Sequence, residues 1–199
     1  MPANGSMLWI AAHSGDTMPQ VEIFTPTGVV SGSTARATVG TDTKGAPAPL
    51  AVDTSRWYPL DGSAPQRRGS VTVPPDEILV VILAPPPFAV HSGWYPIELD
   101  VGPYHLEARL PTAPGFDPAR ALARPTGPFV ALRDVSISLA GRTDAGIAER
   151  DFAHVNRYAV DRIASSLMLS FFFPGATLVP LGDPGSGLPQ VAVRTAAPA

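Results

Sequence analysis

The 199-residue chain contains no cysteine, a single lysine (Lys44), and only 16% charged residues. Without cysteine there is no disulfide framework, no thiolate metal site and no thiol nucleophile. Fourteen basic against seventeen acidic side chains leave a net charge of −3. No basic field is available to hold a polyanion, so nucleic acid is disfavoured as the main partner. Basic residues are also missing from the start of the chain, where the first is Arg36. The apolar patch Met7-Leu8-Trp9-Ile10-Ala11-Ala12 therefore has no positive flank and does not read as a secretory signal. The expected location is cytoplasmic.

What the chain has in excess is proline and glycine, 24 and 18 residues. An interior proline costs a helix about 3 kcal/mol and a glycine about 1, so long helices are excluded. The 45% apolar residues are still enough for a buried core. One uncharged stretch, residues 163–182, approaches bilayer length. Pro174-Gly175 and Pro180 break it, and Ser165, Ser166 and Ser170 dilute it. It reads as a buried strand with an apolar tail that packs on the body or on another subunit, and only secondarily as a membrane contact.

Internal similarity organises the chain. His13-Ser14-Gly15 recurs as His91-Ser92-Gly93, 78 residues later. At an offset of 76, Val21-Glu22-Ile23 falls on Ile97-Glu98-Leu99, Val30 on Leu106 and Gly32 on Ala108. At 72, Trp57-Tyr58-Pro59-Leu60 falls on Phe129-Val130-Ala131-Leu132, and at 82, Val73, Ile78 and Val81 fall on Val155, Val160 and Ile163. Changes of offset belong in loops, where insertions are tolerated. The organisation expected is a first module over 13–84, a connector over 85–90 stiffened by Pro85-Pro86-Pro87, a second module over 91–170, and an apolar then Pro/Gly-rich segment over 171–199.

The second module is the easier to read. Tyr104, Leu106, Ala108 and Leu110 alternate with polar residues, the period of a half-buried strand. Gly102-Pro103 turns this strand back on Ile97–Val101. Asp117-Pro118 offers a cap for a short helix over 119–123, and Val135, Ile137 and Leu139 extend a third strand begun at Phe129. His154–Ile163 supplies the last strand or strand pair. Four or five short strands with one helical turn in under eighty residues predict a mainly β fold: two tandem small barrels of the Sm-like or SH3-like kind, with short helical turns.

Tyr104-His105-Leu106-Glu107-Ala108-Arg109-Leu110-Pro111, the run from Phe129 through Ile137, and Val155-Asn156-Arg157-Tyr158-Ala159-Val160 together resemble a bacterial small-barrel domain family of unknown function. The match covers about a third of the chain. Ala131 stands where the pattern has proline, although Pro59 of the first copy fits it. Because that family has no known activity, the resemblance implies a fold and no catalytic residue.

Chemical motifs are sparse. His13, His91, His105 and His154 show no metal-ligand spacing. Gly28-Val29-Val30-Ser31-Gly32 lacks the spacing of a nucleophile elbow, and the loop around Lys44 has the wrong order for a phosphate loop. Arg120-Ala121-Leu122-Ala123-Arg124 followed by Asp134-Val135-Ser136 resembles the arginine pair and Asp-x-Ser strand of PilZ barrels, which bind cyclic di-GMP through guanidinium stacking and phosphate forks. Leu139 stands where that pattern has glycine, and Gly141 comes two residues late.

The most unusual feature is a surplus of apolar runs: 78–83, with Ile78, Val80 and Ile82, and 167–173, with Leu167, Leu169, Phe171, Phe172 and Phe173. A strand apolar at every position suits burial on both sides. Either the two modules cover these runs or a partner does. The function expected is a non-catalytic protein-interaction or assembly module, an accessory subunit or homo-oligomer, with no cofactor and no metal. The alternatives are a ligand-sensing barrel using Arg120, Arg124 and Asp134, and a hydrolase whose Ser, His and Asp meet only in space.

Overall fold

The computed structural model describes residues 18–36, 39–40, 48–83, 93–112, 127–141, 148–167 and 169–181. The connector prolines and the helix expected over 119–123 lie outside these residues. The described chain is mainly β. Its strands are β1 (Gln20–Thr25), β2 (Gly28–Ser33), β3 (Leu50–Pro59), β4 (Gln66–Arg67), β5 (Val71–Val73), β6 (Val80–Ile82), β7 (Gly93–Val101), β8 (Tyr104–Thr112), β9 (Phe129–Leu139), β10 (Ala148–Asn156), β11 (Val160–Ser165) and β12 (Thr177–Val179). One 3-10 turn, Pro75–Glu77, is the helical content among the described residues. No helix there is long and apolar enough to cross a membrane, and most of the 163–182 stretch is the end of β11, a series of turns, and β12.

All twelve strands belong to one open sheet, in the order β12-β11-β7-β8-β9-β10-β6-β1-β2-β3-β4, with β5 also on β3. Every pairing is antiparallel except β11 with β12. The tight β7–β8 hairpin turns at Gly102, whose φ of +54° favours glycine. Alternation then buries Tyr104, Leu106, Ala108 and Leu110 on the inner face.

The registers recur along the chain. Ile23↔Val30 between β1 and β2 corresponds to Leu99↔Leu106 between β7 and β8, 76 residues on. Ile23↔Val81 between β1 and β6 corresponds to Leu99↔Ile163 between β7 and β11. Leu50↔Val73 corresponds to Val130↔Val155. The β2–β3 pair slips between Ser31 and Ser33, and the β8–β9 pair slips between Glu107 and Arg109. At those slips Thr54 and Asp134 take positive φ values of 49° and 48°. Such a φ is uncommon for a residue with a Cβ, and here it accompanies a bulge that bends the strand. Trp57 pairs with Val30 as Ile137 pairs with Leu106.

Two cores lie on opposite faces of the shared strands. The larger gathers Ile97, Leu99, Leu106, Leu132, Val155, Ile163, Leu169 and Phe173 with Phe24, Leu79 and Val80. The smaller gathers Val21, Ile23, Val30, Leu50, Val52, Val73, Ile78, Val81 and Leu83. Successive residues of β1 and β6 thus point into different cores, Ile23 and Val81 into the smaller, Phe24 and Val80 into the larger. That is why 78–83 is apolar at every position.

Candidate functional site

The expected interface residues divide by burial. Ile78, Val80, Leu169 and Phe173 are fully buried within the chain's own cores. Ile82, Leu167 and Phe172 are partly buried against the larger core. Phe171 is 44% exposed, and Tyr158, which the apolar runs did not single out, is 62% exposed. Arg157 ties these two aromatics together: its Nη2 donates to the Phe171 carbonyl, and its guanidinium carbon lies 5.4 Å from the Tyr158 ring centroid. Its backbone N–H donates to the Pro128 carbonyl, which anchors the turn.

The joint between the two halves of the sheet is an edge-to-edge pairing. β10 lies on β6 through His154↔Val81 and Val155↔Val80. Asn156 extends the joint: its backbone N–H donates to the Leu79 carbonyl and its Nδ2 to the Ile78 carbonyl. Side chains reinforce it. The Tyr104 hydroxyl donates to the Thr25 and Gly28 carbonyls, and Arg150 grips Glu22 with both Nε and Nη2. The His154 ring, edge-on to Phe152, is buried enough that its pKa is pushed down to about 4, so it is neutral at pH 7.

The outer face of β7–β9 carries the polar chemistry. Asp100, His105 and Ser138 lie in one row across the three strands. His105 Nδ1 is 2.7 Å from Asp100 Oδ1, and Arg162 Nε donates to the other carboxylate oxygen. Burial opposes the charge on Asp100, but the hydrogen bonds from Arg162 and His105 outweigh it and hold the carboxyl below its usual range. Ser138 Oγ is aimed at the carbonyl oxygen of His105 and not at its ring, so Ser138 is not placed as a nucleophile activated by this imidazole. Counting outward from the Gly102-Pro103 turn gives the Asp100–His105 pair, but not Ser138, which lies on β9. A search for fixed motif spacings misses the row, because cross-strand neighbours have none.

Beside that row is a groove of about 260 Å³ lined by Glu98, Glu107, Arg109, Asp134, Ser136 and Leu181, among others. Asp134 is exposed and lies 3.7 Å from Arg109. Arg120 and Arg124, its expected companions around a nucleotide, lie outside the described residues, as do His13 and His91. Among the described residues no group of three or more His, Asp or Glu is placed to hold a metal ion. Comparison with protein-family models, with curated proteins and with solved structures finds no match to this chain in any of the three.

Proposed function

We propose that the chain is a non-catalytic interaction and assembly module, built from two tandem small barrels of the Sm-like or SH3-like kind and joining to its partner along strand edges. The observation that carries this reading is the repeated register. The strand sequence β1, β2, β3, β4/β5, 3-10 turn, β6 has the same pairings as β7, β8, β9, β10, turn, β11. Even the turns agree, since Glu77 N–H donates to the Pro74 carbonyl as Ala159 N–H donates to that of Asn156. The fourth strand of the second module then pairs with the fifth strand of the first. Two unlike edges of one module type are thereby complementary, which is the basis of head-to-tail association.

Sedimentation over a concentration series tests the reading. Reversible self-association is expected, and a chain that sediments as one copy at every concentration overturns it. Calorimetry separates the ligand-sensing alternative. The assembly reading expects no heat with cyclic di-GMP, whereas heat abolished by Asp134→Ala would replace it.

A further inference from the structure

The internal joint gives a template for reading the two ends of the sheet. On β6, the residues that receive β10 are Val80 and Val81, which face Phe24 and Ile23 of β1 on their other side. The residues of β11 in the same register, facing Asp100 and Leu99 of β7, are Arg162 and Ile163. These are the residues that β12 covers, through Arg162↔Thr177 and Ile163↔Leu178. So β12 occupies on β11 the place that β10 occupies on β6. At the far end, the strand with the register of β10 is β5, whose Thr72 and Val73 pair with Ala51 and Leu50 as His154 and Val155 pair with Ala131 and Val130. Among the described residues no strand lies on the outer side of β5.

We propose that β12 is a capping strand: it closes the β11 edge against β5 of a second copy, and its release lets copies join head to tail by repeating the β6–β10 joint. The inference rests on the assembly reading above. The second copy is the occupant because both edges of the template joint exist on every chain, one at each end. A head-to-tail contact that does not close a ring grows without limit, and edge strands are commonly covered to prevent this. β12 is built to be displaced. It has three residues, runs parallel to β11, and leaves Leu178 and Val179 only partly buried, whereas parallel pairing is slightly weaker per residue than antiparallel. The joint between copies is weaker than the internal one, because Pro74 stands in the register of Asn156 and has no N–H to donate.

The test compares the intact chain with Thr177→Pro/Leu178→Pro, which removes N–H groups of both parities from β12. Sedimentation should show self-association at least ten-fold tighter than in the wild type. Adding Thr72→Lys, a charge on an exposed edge position, should return it to the wild-type level, and a peptide of residues 175–181 supplied in trans should compete with it. A folded proline variant that associates no more tightly than the wild type overturns the cap; where the wild type itself associates, the assembly reading survives that result. Hydrogen exchange on the wild type needs no variant. Amides of β12 should exchange faster, and those of β5 more slowly, as concentration rises, and concentration-independent exchange at both strands overturns the proposal.

Discussion

Glu22 and Arg150, 128 residues apart, meet across the joint in a two-pronged ion pair with contacts of 2.8 and 2.9 Å. Each side chain is only 19% exposed, so solvent screens the pair less than it would a surface bridge. Charge-assisted, bidentate geometry also fixes how β10 sits relative to β1. Arg150→Met keeps most of the stem and leaves Glu22 without its fork. The expected loss is about 1–3 kcal/mol by urea unfolding, within the range for hydrogen bonds to charged groups. A double-mutant cycle with Glu22→Gln checks the pair itself, and a coupling energy near zero would show that the two side chains only share a neighbourhood.

Tyr104 makes another long-range tie. Its ring meets Phe24 edge-on at 5.3 Å, and its hydroxyl reaches the Thr25 and Gly28 carbonyls at the turn between β1 and β2. Tyr104→Phe keeps the ring contact and removes the donor, for an expected cost of about 1–2 kcal/mol. Burial also raises the phenol pKa well above its ordinary 10. Because the folded value is the higher one, this stability is complete below pH 10 and is lost as pH rises above it. The phenylalanine variant should lose that alkaline slope, which unfolding at pH 9 and pH 11 would reveal.

Gly32 faces the bulge of β3. A Cβ there would lie 2.5 Å from the Asp53 carbonyl oxygen and 2.7 Å from Val52 Cγ1. The first of these is backbone and cannot swing aside. Gly32→Ala is expected to cost about 1–3 kcal/mol through overpacking, while Gly69→Ala, with nothing within 4 Å of the added methyl, should stay within about 0.5 kcal/mol of the wild type. Paired thermal melts decide it: equal melting temperatures would mean that the bulge relaxes freely.

Much of the strand pattern was legible because its causes are local. Alternation at 104–110 and the Gly102-Pro103 turn fix a hairpin whose register the structure reproduces. The third strand was legible as well, since β9 runs from Phe129 to Leu139, but its bulge was not. A bulge at Thr54 and at Asp134 resets the phase of burial, so that β9 buries Val130 and Leu132 before it and Val135 and Ile137 after it. The joint was out of reach altogether. The run at 78–83 implied cover on both sides, but which edge would supply it depends on β10, some seventy residues later, and no local signal ranks one strand edge above another. The polar row of Asp100, His105 and Ser138 stayed hidden because each residue stands alone in its own strand.

His154 gives the joint a pH dependence. It lies opposite Val81, and burial pushes its pKa down from 6.5 to about 4. The unfolded chain therefore binds this proton more readily than the folded one. Its contribution is complete above about pH 6.5 and is lost as pH falls toward 4. The full shift corresponds to about 3 kcal/mol, and partial exposure of the ring reduces this to about 2–3. His154→Gln carries no charge at any pH and should remove this part of the acid slope while leaving stability below pH 4 governed by carboxylates such as Asp100, whose depressed pKa acts in a lower window. Urea unfolding at pH 7, 5.5 and 4 separates the two windows. If the variant loses as much stability as the wild type between pH 6.5 and 4, protonation of His154 is not what loosens the β6–β10 joint.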